Sequence, residues 1–194
     1  MLRRRSRLPV IARIAGPGEE ESRVWSLRRD DLRSLAAALP RLGDRRVVMV
    51  SGEGEPARVA ALGLAAAAAS DGRRTALVEC DIANPRLAAD LGLRDAPGLN
   101  EYLRWEAQPA EILQPLLLTG PAAAPDSEAL ACVCAGRPVQ RAATLLGLGS
   151  FGHAIAKLRN AYELVVLAGP SASEEETAAA LAAAQAEAVL AGLA

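Results

Sequence analysis

The chain of 194 residues contains few of the residues on which several classes of protein depend. Aromatic residues make up only 3% of it, and histidine occurs once, at position 153. A single histidine argues against a His-based metal centre or a Ser/His catalytic triad, and His153 is expected on a helix surface. The scarcity of aromatic rings leaves little material for stacking on bases or sugars. The core must therefore be built from aliphatic side chains.

An excess of one charge is also absent. Lysine and arginine total 22 against 23 aspartates and glutamates, so the net charge of −1 provides no basic field for nucleic acid. The one basic cluster, in residues 3–7, is expected either to lie against an anionic membrane surface or to be solvated. No apolar run reaches the ~20 residues of a membrane span, and no apolar stretch follows the basic start as in a secretory signal.

Cysteine is scarce, and its spacing matches no redox or zinc motif. Cys80, Cys132 and Cys134 all fall in apolar, strand-like segments, and we expect them to be buried free thiols. The two tryptophans, Trp25 and Trp105, are expected to fill the core rather than to lie at an interface.

Short apolar segments alternate with helical segments along the chain. Five of them predict strands, at residues 47–50, 75–79, 129–134, 163–168 and 187–193. Helices are predicted at residues 21–39, 57–70, 85–91, 100–105, 109–117, 142–146, 151–161 and 173–185, the last opened by a capping box at Ser173. Apolar strands separated by helices predict a mainly parallel sheet covered on both faces, which is a three-layer α/β/α fold.

The chain divides by composition into two parts. Residues 1–20 are rich in Arg, Pro and Gly and are predicted to be a linker. Residues 21–194 show no internal boundary and are predicted to form a single domain. Because the sequence stops at or just after the strand at 187–193, the possibility that the domain is shortened at its C-terminus stays open.

The segment from the first strand into the second helix is organised like a phosphate-binding P-loop. A strand runs into a glycine-rich turn and then a helix, an order that directs backbone N–H groups at phosphate. The turn and the helix start read Ser51, Gly52, Glu53, Gly54, Glu55, Pro56, Ala57 and Arg58. A working loop has Lys and Ser/Thr at the helix start, for the phosphates and for Mg²⁺. Neither is present, so the sequence predicts a degenerate nucleotide site.

Two interpretations of this loop are open. Glu55 could cap the helix N-terminus in place of a phosphate, or the loop could be a plain turn with Pro56 as an ordinary first helical residue. Arg58 could reach a phosphate, or it could be a solvated helix residue.

Several motifs, in order, resemble the cytoplasmic P-loop domain of bacterial tyrosine kinases (BY-kinases), which regulate the chain length of capsular and extracellular polysaccharides. The segment LPVIARI at residues 8–14 resembles the family's linker after its second membrane span. TALVECDIANPRL at 75–87 resembles its second acidic box, LGLRDAPGLNEYL at 91–103 the stretch that follows, and AYELVVLAGP at 161–170 its third acidic box. The resemblance implies a P-loop NTPase fold over residues 8–194.

The departures from this family concern its chemistry. The family's loop reads Gly-Glu-Gly-Lys-Thr. In one alignment the Lys and Thr positions are occupied here by Glu55 and Pro56. In the other alignment they are occupied by Ala57 and Arg58. In the second acidic box Asp81 is kept as a candidate Mg²⁺ ligand, and its partner is Glu79 rather than Asp. In the third box Ala168 stands where Asp is expected. The resemblance therefore implies that no catalytic residue set is intact.

Two further family features are altered. The family phosphorylates a Tyr-rich C-terminal tail, whereas the only tyrosines here are Tyr102 and Tyr162. Its Glu-x-x-Arg-x-x-Arg assembly motif is matched only loosely by residues 21–29, with Trp25 at the middle Arg position. This departure argues against ring assembly by that motif, and a homo-oligomer stays open.

The sequence thus predicts a catalytically inactive BY-kinase-like module that acts in exopolysaccharide or capsule biosynthesis or export. Its expected partner is a membrane-embedded polysaccharide co-polymerase or export protein, its expected location is the cytoplasm at the inner face of the membrane, and no nucleic acid is expected. No cofactor is expected beyond weakly bound ATP or ADP with Mg²⁺. The alternatives are an active tyrosine kinase or ATPase with a divergent loop, and a partition-type positioning ATPase.

Overall fold

The computed structural model of the protein describes residues 10–14, 37, 39–40, 42–44, 46–52, 54–116, 130–170, 174–186 and 188–192. Its strands are β1 (Val10–Ile14), β2 (Val47–Ser51), β3 (Thr75–Glu79), β4 (Leu113–Leu116), β5 (Leu130–Val133), β6 (Leu164–Ala168) and β7 (Ala188–Gly192). Its helices are α1 (Gly54–Ser70), α2 (Leu87–Leu91), α3 (Leu99–Leu103), α4 (Pro109–Ile112), α5 (Ala142–Leu146), α6 (Gly149–Ala161) and α7 (Glu174–Ala184).

The strands form one sheet in the order β1-β7-β2-β6-β3-β5-β4. Every pairing is parallel except that of β4, which runs antiparallel to β5 at one edge. Strands β2, β3 and β6 are buried along their whole length. This burial explains why their sequences are apolar without alternation, as parallel strands covered on both faces are.

Successive side chains of each central strand enter two separate cores, because side chains alternate across a strand. On one face, Val48, Val50, Leu77 and Val166 pack with the apolar side of α1 and with Leu87 of α2. On the other face, Val47, Met49, Val78, Val165 and Leu167 pack with residues from α3, α5, α6 and α7, among them Leu103, Leu146, Phe151 and Ile155. The predicted three-layer α/β/α architecture is confirmed.

The sheet has more strands than the five predicted. Residues 10–14, assigned by composition to a linker, form β1 and pair with β7. The apolar run VIARI was obscured by the Arg, Pro and Gly around it. The remaining division of the chain into linker and domain stays a prediction, and residues 1–9 and 15–36 lie outside the described part of the chain.

The helix predicted at residues 109–117 is wrong in its second half. Helix α4 ends at Ile112, and residues Leu113–Leu116 form the edge strand β4. Pro115 explains the change, because proline disrupts a helix interior and is tolerated in an edge strand. Most of the helix predicted at 21–39, the cap at Ser173 and Trp25 lie outside the described residues.

Candidate functional site

The loop after β2 is very short. Ser51 is buried at the strand end, Gly52 is half-buried, Glu53 lies outside the described residues, and α1 begins at Gly54. The prediction that the helix starts at Ala57 is therefore wrong by one turn. Glycine at the start of a helix costs little, and the Ala-rich residues that follow continue it readily.

The early start of α1 places Glu55 and Pro56 in its first turn, with Glu55 exposed and Pro56 half-buried. This start favours the alignment in which they occupy the Lys and Thr positions of a P-loop. The first four N–H groups of a helix have no intrahelical partner, and they are the donors that phosphate uses. Proline has no N–H, so Pro56 removes one of these donors. Ala57 is buried and offers no polar group.

Arg58 does not project freely into solvent. Its Nε lies 3.1 Å from Oδ2 of Asp90 in α2, and the two side chains are 15% and 21% exposed. The solvated alternative is therefore wrong for Arg58. The ion pair joins α1 to α2 and commits the guanidinium group to a protein carboxylate.

Glu79, at the carboxyl end of β3, is fully buried. Its Oε1 accepts hydrogen bonds from the N–H groups of Arg86 (2.6 Å) and Leu87 (2.7 Å), and its Oε2 accepts one from Ala135 N–H (2.9 Å). One carboxylate thus holds the start of α2 and the loop after β5 against the end of β3. Both oxygens are occupied by the protein itself.

Burial raises the pKa of Glu79 above its ordinary value of 4.5, because the ionised form is poorly solvated there. The three backbone N–H donors act in the opposite direction, and the nearby Asp81 adds a smaller upward contribution. Desolvation is the largest of these effects. The net effect is that the folded protein disfavours the ionised form of Glu79.

Asp81 is also buried, with 3% of its surface exposed. Its Oδ1 accepts a hydrogen bond from Asn84 N–H at 3.2 Å, an arrangement in which an aspartate caps the turn after its strand. Ala168 ends β6 nearby, where its carbonyl accepts the N–H of Cys80 at 2.8 Å. Glu79, Asp81 and Ala168 therefore lie together at the carboxyl edge of the sheet, as the resemblance implies.

The sequence did not single out a third buried carboxylate at this edge, Glu101. Its Oε2 accepts Gly98 N–H at 2.8 Å and its Oε1 accepts Arg137 N–H at 3.2 Å. Glu101 is the third residue of α3 and its carboxylate accepts the N–H of the N-cap Gly98, which is the glutamate half of a capping box; this spacing was the signal available in the sequence. A Cβ on Gly136, whose φ is +86°, would collide with Oε2 of Glu101.

Other polar groups at this edge also serve the fold. Nδ2 of Asn100 donates to the carbonyl of Arg137 at 2.6 Å, and Val139 N–H donates to the carbonyl of Ile82 at 3.1 Å. Among the residues the structure describes, no cluster of three or more His, Cys, Asp or Glu side chains could hold a metal ion. Asp81 thus stays the single candidate ligand named from the sequence.

The remaining candidate residues of the sequence lie away from this site or are inert. His153 is exposed on α6, as predicted. The three cysteines are free and buried, as predicted, and burial raises the pKa of each thiol, to about 12 for Cys132 and Cys134. Trp105 was expected in the core and is 82% exposed.

No family profile and no curated protein matches this sequence. Several solved structures, however, match this chain. The kinase domain of VpsO is 22% identical with a TM-score of 0.67, and the match covers 84% of this chain and 79% of that one. The kinase domain of the Escherichia coli tyrosine kinase Etk is 13% identical with a TM-score of 0.67, covering 95% and 90%. The cell-division protein MinD of Pyrococcus horikoshii, solved with Mg-ADP, is 17% identical with a TM-score of 0.55, covering 76% and 56%.

These similarities confirm the predicted fold. The chain has the three-layer architecture of P-loop NTPases, and BY-kinase domains are among the structures that it resembles. None of the described helices combines the length and the apolar character that crossing a membrane requires.

Proposed function

We propose that the chain is a catalytically degenerate P-loop domain of the BY-kinase type, which serves as a binding or regulatory module in exopolysaccharide or capsule biosynthesis or export. The observation that supports it is the first turn of α1. At the place where this fold binds phosphate, the helix opens with Gly54, Glu55 and Pro56, and its first turn contains neither a lysine nor a hydroxyl group.

Electrostatics at this turn work against phosphate. Glu55 adds a negative charge where phosphate charge would lie, and Pro56 removes a donor. Losing a single preorganised donor costs roughly 10²–10³ in rate at comparable oxyanion sites. The neighbouring carboxylate that would help to hold Mg²⁺, Glu79, has both oxygens hydrogen-bonded to backbone N–H groups. Turnover of ATP is therefore not expected.

Nucleotide remains the ligand to test, because the strand–turn–helix arrangement is kept and a MinD of similar fold was solved with Mg-ADP. We expect ATP or ADP with Mg²⁺ to bind weakly or not at all. The function then lies in protein contacts. The proposed partner is a membrane-embedded co-polymerase or export protein at the inner face of the cell membrane, and self-association is the second proposed contact.

The test is thermal melting with millimolar ATP, ADP and Mg²⁺. A ligand at ~100 times its Kd stabilises by about 2.7 kcal/mol, which raises the melting temperature of a domain of this size by roughly 5–10 °C. We expect no such shift for the natural chain. The double variant Glu55→Lys with Pro56→Thr restores the missing groups and is expected to gain a shift. ATP-dependent tyrosine phosphorylation by the pure natural chain would overturn the proposal.

The likeness to MinD favours one alternative, a positioning ATPase that assembles around nucleotide. Light scattering with and without ATP separates the two functions. A molar mass that doubles with ATP would favour the alternative, whereas an unchanged mass favours the degenerate module.

A further inference from the structure

The arginine side chains of the described residues differ in whether they have partners. Arg58 pairs with Asp90, Arg73 with Asp71, Arg74 with Glu163 and Arg104 with Glu106, and Arg94 donates to the carbonyl of Glu111; Arg46 and Arg159 also have partners. The guanidinium groups of Arg86, Arg137 and Arg141 are exposed and show no such bond within the described part of the chain.

These three arginines lie on two adjoining loops. Arg86 belongs to the loop between β3 and α2, and Arg137 and Arg141 belong to the loop between β5 and α5. The loops are held side by side because Glu79 accepts the N–H groups of both Arg86 and Ala135, and because Val139 N–H donates to the carbonyl of Ile82. Both loops leave the carboxyl ends of parallel strands, the edge at which open α/β sheets bind ligands.

The carboxylates beneath these loops do not neutralise the three guanidinium groups. Glu79 and Glu101 are buried and accept bonds from backbone N–H groups, so their oxygens face the protein interior. The exposed charges on these two loops are therefore cationic, above carboxylates that are buried. A guanidinium group presents a planar fork of donors that fits a carboxylate with two hydrogen bonds.

We propose that Arg86, Arg137 and Arg141, the arginine patch, form a docking surface for a segment of a partner protein that carries several carboxylate groups. Three separate forks spread over two loops suit anionic groups spaced along an extended peptide. The net charge of −1 provides no long-range attraction for a polyanion such as nucleic acid, so the proposed contact depends on short-range pairing of each guanidinium group with a carboxylate group. This inference goes beyond the proposed function, because it does not depend on whether the loop at α1 binds nucleotide.

The test is fluorescence anisotropy with a labelled peptide rich in Glu and Asp, compared with the same peptide carrying Gln and Asn. The patch variant carries Arg86→Gln, Arg137→Gln and Arg141→Gln. Its matched control carries Arg73→Gln, Arg74→Gln and Lys157→Gln, which removes the same charge away from the patch. We expect the natural chain to bind the acidic peptide, the patch variant to bind about tenfold more weakly, and the control to bind normally.

Binding to the acidic peptide should weaken with added salt, since exposed charges are screened. The proposal is overturned if the acidic and neutral peptides bind alike, if both triple variants lose affinity equally, or if anionic vesicles or a single-stranded oligonucleotide outcompete the peptide. Should the patch variant fail to fold, the single variants Arg137→Gln and Arg141→Gln each must lose part of the affinity. The melting response to ATP is measured on the same variants and is expected to be unchanged, which separates this inference from the proposed function.

Discussion

At the scale of single residues, Trp105 has an unusual backbone and an unusual environment. Its φ is +64°, in the left-handed region, and its side chain is 82% exposed. It follows α3 in a Schellman arrangement, in which Trp105 N–H donates to the carbonyl of Tyr102 and Glu106 N–H donates to that of Glu101. Glycine is favoured at this position because any side chain there strains the backbone.

We therefore expect Trp105→Gly to be more stable than Trp105→Ala by about 1 kcal/mol, since both variants remove the ring and only glycine relieves the strain. Urea denaturation gives the two free energies of unfolding. The control is an Ala-to-Gly exchange at an exposed helical site, Ala182→Gly in α7, where glycine should be destabilising relative to alanine. Equal stability of the two Trp105 variants would mean that the left-handed backbone costs nothing here.

At the scale of elements, the contact of α1 with α2 is fixed by the pair Arg58–Asp90. Because the pair is largely buried, we expect a double-mutant cycle with Arg58→Met and Asp90→Asn to give a coupling energy of about 1 kcal/mol. Arg104–Glu106 has the same 3.1 Å separation, with side chains 41% and 52% exposed, and serves as the control. The coupling energy of this exposed pair should be smaller. Equal coupling energies for the two pairs would show that burial does not strengthen the Arg58–Asp90 interaction.

The elements also show which parts of the fold are predictable from sequence. Strands β2, β3 and β6 were found at the predicted places because continuous apolar runs bounded by Gly and polar residues have few alternative structures. Edge strands were missed: β1 is a short run within a charged segment, and β4 follows α4 without a turn signal. Edge strands are stabilised on one side only, so their sequences are weakly constrained.

The candidate site was predicted in its location but not in its bonding. Sequence motifs placed Glu79, Asp81 and Ala168 at one edge of the sheet. They could not show that Glu79 bonds to Ala135, because that contact joins residues far apart in the chain. The pairing of Arg58 with Asp90 was missed for the same reason. Long-range polar contacts depend on the final packing of several elements, which no local pattern encodes.

At the scale of the whole molecule, Glu79 couples the stability of the fold to pH. It joins β3, α2 and the loop after β5, so it is expected to be released only when these elements come apart. Its folded pKa is raised above 4.5, so the native state binds its proton more tightly than the unfolded state does. The stability that this adds is fully present below the unfolded pKa, and it is lost as pH rises through the folded pKa.

Glu79→Gln removes this titration. The amide oxygen can still accept from Arg86 and Leu87, but the amide N–H₂ then faces the N–H of Ala135, so we expect a loss of about 1–3 kcal/mol. The stability advantage of the natural chain over this variant should be largest below pH 4.5 and should shrink as pH rises, until it levels off above the folded pKa of Glu79. Denaturant unfolding across this range measures it.

Val78→Ala, a buried change in the same strand with no ionisable group, is the control, and its effect should not vary with pH. If the advantage over Glu79→Gln instead grew with pH, the hydrogen bonds from the three N–H groups would outweigh desolvation, and the carboxylate would be held ionised. Glu79 would then be a permanent negative charge at the carboxyl edge of the sheet, an additional obstacle to phosphate. A stability advantage that shrinks as pH rises would identify Glu79 as a buried structural residue whose ionised form the fold disfavours.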